Sequence, residues 1–304
     1  MKPRASLVYL ARPKKFEKLN DLKKSLVHLD RHFNEAHNYP ITIFHEDYEQ
    51  KEFDAIRSTS SSTIEFIKLP NFLELPSYPG LTQEQVERWI SGEDFGRPKA
   101  PLGYRHMCRF YAYPIFHHEA LASYDYYWRF DDDSYLLGDV KEDPFAFMEK
   151  HGYVYGYRSV EYENLSADGI GLDRLWKLTK QFAKKHRLSL KQVKKRVANW
   201  KGRYTGIYYY NNFEINKISF WRESSLYTEY FKMLDRSLGF FQFRWGDSSV
   251  RILAANLLLK KSQIHHFDDI PYRHNHHYSL LRSEEVRYVK HENPDDLLSV
   301  LSNL

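Results

Sequence analysis

The sequence predicts an α/β fold, an open sheet with helices packed against it, and three observations carry that reading. Strand and helix signals alternate through the N-terminal third, as they do in doubly wound sheets. An aromatic strand, Tyr124 to Phe130, runs directly into the three carboxylates Asp131, Asp132 and Asp133. The chain has 304 residues, 42% of them hydrophobic and 16% aromatic, enough to bury roughly three quarters of the unfolded surface without a covalent staple.

The elements follow in order. Ser6 to Ala11 is a short apolar run and reads as a buried strand. Leu19, Leu22, Leu26, Leu29 and Phe33 recur at steps of three and four, which places them on one helix face, and His37 with Asn38 ends that helix. Ile41 to Phe44 and Ile64 to Leu69 are further strands, giving a nucleotide-binding topology by pattern. Residues 70 to 103 hold five prolines and four glycines and read as loop, with one short helix over Gln83 to Ser91. Arg105 to Ala122 reads as a helix kinked at Pro114, and a second strand falls near Tyr153 to Tyr157. Leu172 to Trp200 reads as one or two amphipathic helices, Asn211 to Trp221 as a strand, and Ser248 to Leu259 as an apolar helix. No repeat or low-complexity tract marks a boundary, so residues 1–304 read as a single domain.

Composition excludes collagenous, mucin-like and disordered classes. The single cysteine, Cys108, cannot form an internal bridge, so the chain is compatible with a reducing compartment. No stretch approaches 18 apolar residues, and no integral membrane segment or export signal is expected. The net charge of +5 is local: residues 177 to 203 hold 11 Lys/Arg and no acid, while the remainder carries 34 basic and 40 acidic residues. A nucleic-acid-steering body is not expected. Leu188, Leu190, Val193, Val197 and Trp200 suggest a packed helix whose basic side is solvated.

Three sets of residues could carry chemistry. Ligands of open sheets bind outside the carboxyl ends of strands, and strand alternation sends Asp131 and Asp133 to one side, where two carboxylates can hold a hard divalent ion against a diphosphate. Glu214 and Asp247 sit in aromatic surroundings, and paired carboxyls are the equipment of glycosyl chemistry. The structural alternatives are a Glu214 neutralised by a buried Arg and an Asp247 that caps the following helix. Residues 265–277 hold five of the 15 histidines; imidazole with carboxylate suits Mn²⁺ or Zn²⁺, but the residues alone do not choose which histidine.

Together these blocks resemble the yeast-type α-1,2-mannosyltransferases, glycosyltransferase family 15. The resemblance runs from Ser-Leu-Val-Tyr-Leu-Ala-Arg12 through Gly-Tyr104-Arg-His-Met-Cys, Tyr-Trp-Arg-Phe-Asp131 and Asn-Phe-Glu214-Ile to Phe-Arg-Trp-Gly-Asp247 and Asp-Ile-Pro-Tyr-Arg-His274, nearly the whole chain. It implies a GT-A fold, a Rossmann-like central mixed sheet flanked by helices, whose N-terminal part binds the donor and C-terminal part the acceptor. It implies GDP-mannose as donor, Mn²⁺ as cofactor, and retaining transfer to the 2-hydroxyl of a mannose-containing glycan acceptor. Residue by residue it places Asp131 and His274 on the metal, Arg12 and Tyr104 on the donor, and Glu214 as nucleophile or oxocarbenium stabiliser. Asp247 becomes a base or acceptor-orienting group.

The chain departs from the family where the usual Glu-Pro pair is Asp131-Asp132, a pattern that offers Asp133 to the metal as well. The family's cysteine before the Glu214 block has no counterpart here, and no N-terminal membrane anchor is expected from these residues. Location is therefore open between cytoplasm or a viral factory and, for a trimmed member, the Golgi lumen. The competing readings are another hexosyltransferase, a sugar or phosphate hydrolase, and a non-enzymatic binder of anionic surfaces or nucleic acid through residues 177–203.

Overall fold

The computed structural model describes residues 2–14, 19–92, 100–275 and 277–279. Twelve strands appear in chain order: β1 (Ala5–Leu10), β2 (Ile41–His45), β3 (Ile64–Lys68), β4 (Tyr126–Phe130), β5 (Ser134–Leu136), β6 (Tyr155–Tyr157), β7 (Val160–Tyr162), β8 (Ile207–Tyr209), β9 (Phe213–Lys217), β10 (Ile264–His266), β11 (Tyr272–His274) and β12 (His277–Ser279). Seven of them form the central sheet in the order β10-β6-β9-β4-β1-β2-β3. All its pairings are parallel except those of β9, which runs antiparallel to both β4 and β6. The sheet is mixed, as expected, and both faces are covered. Alternation along β4 sends Tyr126, Trp128 and Phe130 into one core and Tyr127 into the other.

Because β1 lies between β2 and β4, the chain leaves β1 toward one edge and later returns on its other side. The crevice outside the carboxyl ends of β1 and β4 is thus a topological switch point. Arg12 follows β1 and Asp131 follows β4, so the topology delivers both to that crevice. A small antiparallel sheet, β12-β11-β5, stands over the end of β4, and β7 pairs with β8 nearby.

Several boundaries differ from the sequence reading. The helix begun before Arg105 spans Leu102–Ala112 and ends there; Pro114 opens a 3-10 turn, Pro114–His117, because proline lacks the N–H and clashes with the preceding turn. The strand over Asn211 to Trp221 covers only Phe213–Lys217. The Ile218 N–H donates to Asp125 just before β4 begins, pairing runs out, and the chain turns into the helix Ile218–Glu223. The basic region starts earlier than expected, in a helix over Leu165–Lys185, followed by Lys191–Val197. Val193 and Val197 are buried as anticipated, but Trp200 is 89% exposed, because it sits in the turn beyond the second helix rather than on its packed face. The helix Asp247–Leu258 is buried on every side down to Leu257, which carries polar groups into the centre of the molecule.

Candidate active site

The residues after β4 form a turn held at both ends. The Ser134 N–H donates to the Asp131 carbonyl at 3.1 Å, and the Asp131 N–H donates to Ser134 Oγ at 3.1 Å. Strand alternation stops at Phe130, so this turn, rather than the strand, aims the carboxylates. Antiparallel pairing of β11 with β5 sets His274 opposite Ser134. His274 Nε2 then lies 3.5 Å from Asp131 Oδ2 and 3.1 Å from Asp133 Oδ1. On its other side His274 Nδ1 is hydrogen-bonded to the Tyr210 hydroxyl at 2.6 Å, which fixes the ring. From β1, Arg12 reaches Asp132 Oδ1 through Nε at 3.0 Å and Asp133 Oδ2 through Nη2 at 2.8 Å.

The electrostatics follow from three acids crowded at one strand end. Burial alone would lower the His274 pKa, but hydrogen bonds and charge from Asp131 and Asp133 outweigh it and raise it to about 9. Asp131 and Asp133 are both lowered: burial opposes ionisation, and the cations beside them, Arg129 and His274 for the first and His274 and Arg12 for the second, prevail. Asp132 behaves oppositely. Burial, with Asp133 and Asp131 as like-charged neighbours, pushes it up to about 7 against the pull of Arg12. Asp132 Oδ2 is buried without a hydrogen-bond partner.

A second constellation joins the first through Arg129. Its Nε and Nη2 donate to Asp131 Oδ1 at 3.1 and 3.0 Å, its Nη1 donates to Asp247 Oδ2 at 2.6 Å, and its guanidinium stacks 3.6 Å over the Tyr111 ring. Asn211 Nδ2 also donates to Asp247 Oδ2. Both bonds therefore fall on Asp247 Oδ2; Gly246 is the N-cap and no side chain caps the helix, so the capping alternative is set aside. Arg129 and Glu214 are cross-strand partners on β4 and β9. Glu214 is wholly enclosed, accepting a hydrogen bond from the Tyr127 hydroxyl at 2.9 Å and lying 3.3 Å from Arg251 Nε. Arg251, also wholly buried, donates to the Tyr227 hydroxyl at 2.9 Å and the Tyr111 carbonyl at 2.7 Å. The buried arginine anticipated for Glu214 is thus Arg251.

The structure brings Asp131, Asp133, His274 and Arg12 together and links Asp247 to them. Tyr104 stands on the Asp247 side, its ring 5.4 Å from the Arg244 guanidinium, which is itself 3.7 Å from Glu163. Glu214 is placed beneath the site, not at its surface. Among the described residues no three His, Cys, Asp or Glu side chains are already arranged as a metal cage; Asp131, Asp133 and His274 close on one another as ion pairs. Of the other histidines, His265 and His266 lie on β10 away from the cluster, and His276 is outside the described residues.

A family model described as glycolipid 2-alpha-mannosyltransferase matches residues 1–293. The chain belongs to this family. Among similar curated mannosyltransferases, an O-glycoside alpha-1,2-mannosyltransferase of Schizosaccharomyces pombe is 33% identical over 277 residues, covering 89% of this chain and 68% of that protein. A glycolipid 2-alpha-mannosyltransferase of Saccharomyces cerevisiae is 34% identical over 289 residues, covering 90% of this chain. The chain spans 61% of that second relative's length. Core-mannan synthase A from Aspergillus fumigatus, solved in its Mn/GDP form, superimposes with a TM-score of 0.83 at 26% identity, over 94% of this chain and 78% of that one. The mannosyltransferase Ktr4p from S. cerevisiae in complex with GDP gives 0.81 at 27% identity, over 92% and 73%. The fold is accordingly the GT-A fold of these mannosyltransferases.

Four residues of this candidate site escaped the sequence reading. Arg129 reads as one more member of an aromatic strand, Asn211 as the start of a strand, Tyr210 as one tyrosine among 24, and Arg251 as an interruption in an apolar helix. Only Arg251 carried a signal, since a lone arginine in Val-Arg-Ile-Leu-Ala-Ala must find a buried anion.

Proposed function

We propose that the chain is a retaining, Mn²⁺-dependent mannosyltransferase that moves mannose from GDP-mannose to the 2-hydroxyl of a mannose-containing glycan. The observation that carries this reading is the convergence of Asp131, Asp133, His274 and Arg12 at the switch point of the sheet. Two carboxylates and an imidazole fit Mn²⁺, and the partnerless Asp132 Oδ2 adds a further buried oxygen beside them. The Tyr210 contact to His274 Nδ1 supplies the outer hydrogen bond that metal-ligating histidines use. A Mn²⁺ held by these residues would supply positive charge against the leaving diphosphate.

The protein's own residues do the rest. Arg12 offers a guanidinium to the phosphates and Tyr104 an aromatic contact to the donor. Arg129 holds Asp131 and Asp247 in one frame, and Asp247 orients the acceptor hydroxyl. Glu214, enclosed and paired, does not attack the anomeric carbon in this arrangement; it places negative charge behind the site, the stabilising role of the two that the resemblance offers. The N-terminal part supplies the donor contacts and the C-terminal part the acceptor side, within one catalytic domain.

The test is a nucleotide-sugar screen with Mn²⁺ and a methyl mannoside acceptor, with NMR of the product's anomeric configuration and linkage. An α-1,2 product from GDP-mannose is expected, and Asp247→Asn is expected to lose acceptor use more than slow donor hydrolysis. An inverted product refutes retention, and sugar release that ignores acceptor favours a hydrolase.

A further inference from the structure

The basic segment that the mannosyltransferase site leaves unused forms one surface. Ten of its eleven cations are exposed, Arg196 being the exception, packed toward the Tyr157 and Tyr209 rings at 5.8 and 5.5 Å. On the helix Leu165–Lys185, Ile170, Asp173, Lys177, Lys180 and Lys184 follow one another at steps of three and four, so they share a single stripe, and all five are exposed. The turn beyond the next helix is tied to this stripe: Trp176 Nε1 donates to the Gly202 carbonyl at 3.0 Å, and Lys180 Nζ lies 5.5 Å from the Trp176 ring. That turn carries Trp200, with Lys201 Nζ 4.7 Å from its ring, and Arg203.

The most exposed apolar side chains lie on the same elements, Leu165 and Ile170 on that helix, Trp200 in the turn tied to it and Tyr162 just before it. Of the seven large hydrophobic residues exposed among the described residues, the four most exposed are Tyr162, Leu165, Ile170 and Trp200. Leu165 Cδ2 lies 3.0 Å from where a Cβ on Gly206 would stand, which binds this apolar end to the same turn region. A solvated helix face explains lysines; it does not explain a tryptophan and an isoleucine left in water among them.

We propose that this face docks on an anionic lipid bilayer, Trp200, Ile170, Leu165 and Tyr162 entering the interface while the lysines meet the headgroups. Interfacial binding needs this combination, aromatic and aliphatic side chains to bury with cations beside them. The body behind the face is acidic, 34 basic against 40 acidic residues outside the segment, so an anionic surface attracts this side and repels the others. Aliphatic Leu165 and Ile170 favour lipid over nucleic acid, since they offer no ring on which a base could stack. The acids on or beside this face are Asp173 within the stripe, Glu229 beside Lys185 at 3.7 Å, and Glu161 and Glu163 on either side of Tyr162. The apolar end adjoins the site: Glu163 follows Tyr162 and lies 3.7 Å from Arg244, whose guanidinium stands over the Tyr104 ring.

The test is vesicle flotation with the whole chain, on phosphatidylcholine alone and with about 30% phosphatidylserine, which reads docking without any need for catalysis. Binding is expected only to the anionic vesicles. Lys177→Gln/Lys180→Gln/Lys184→Gln is expected to weaken it about 100-fold, and Trp200→Ala to remove what survives about 0.5 M salt. All these residues are exposed, so thermal melts and transfer to a soluble mannoside should stay parental. Absence of binding to anionic vesicles by the folded parent overturns the proposal, as does a triple variant that binds as the parent does. Single-stranded RNA that displaces the protein from vesicles through the same lysines also overturns it, in favour of a nucleic-acid surface.

Discussion

Glu214→Gln separates a carboxylate that reacts from one that holds the site together. The side chain and its partner Arg251 are both without solvent exposure and 3.3 Å apart. Removing one charge of such a pair strands the other, at a cost of about 3–5 kcal/mol. Glutamine can still accept from Tyr127, and Arg251 keeps the Tyr227 hydroxyl, the Tyr111 carbonyl and the rings of Phe116 and Trp221, each 4.7 Å away. The loss in Glu214→Gln should therefore sit near the lower end, about 3 kcal/mol. Arg251→Met leaves Glu214 with Tyr127 alone and should approach about 5 kcal/mol, with the double variant recovering much of the sum. An unfolding entropy of about 2.1 cal/mol/K per residue makes these losses roughly 5 and 8 °C in Tm for a chain of this length. Urea unfolding gives the stabilities, and donor affinity and turnover are measured separately on the same samples. Glu214→Gln is expected to lose stability and turnover together, with donor affinity affected least. A variant as stable as the parent but orders of magnitude slower would show that Glu214 acts on the sugar itself and would refute the counter-charge reasoning.

Removing the metal with EDTA should abolish transfer, and Asp131→Asn should reduce it by about 10²-fold or more, as loss of other charge-stabilising groups does; full activity of that variant in chelator sinks the assignment. Arg129→Lys keeps the charge but cannot serve Asp131 and Asp247 at once, so Mn²⁺ affinity, read by the EPR signal of free Mn²⁺, should fall about tenfold or more. Cys108 is free and buried, and burial, helped by the Asp247 charge, raises its thiol pKa; dithiothreitol should leave Tm unchanged and iodoacetamide should label only the unfolded chain. His106 is held neutral, its pKa lowered to about 4 chiefly by burial and then by Arg109. The unfolded chain takes up that proton first, so stability should fall as pH drops from about 6.5 toward 4, and His106→Gln should flatten that part of the pH profile of urea midpoints.

What was legible locally and what was not differ for physical reasons. The helix Gln83–Ser91 and the strand after Tyr124 were readable because their periodicity and flanking residues are contained within a dozen positions. The helix Pro144–His151 was missed although Asp143 caps it through two N–H groups, since a single cap without a long apolar period is a weak signal. The small sheet β12-β11-β5 was missed because three-residue strands have no period to read. Asp131 and Asp133 were legible from their place at the end of a strand, but His274 was named only from the resemblance; the residues themselves left five histidines equivalent.

By itself the sequence determined the class of fold, the strand that ends in acids and the isolated basic segment, and it left Glu214 between a reacting carboxyl and one neutralised by a buried arginine. Each is a matter of composition and spacing along the chain, where hydrophobic period and charge density are local quantities. Only the tertiary structure decided that His274 closes on Asp131 and Asp133, that Arg251 is the cation for Glu214, that Arg129 ties the two halves of the site, and that Trp200 stands in water beside a lysine stripe. These depend on β11 pairing with β5, and on which side of β4 the chain returns. Contacts between residues on different elements are set by sheet register and packing, and leave no trace in the spacing of the residues that make them.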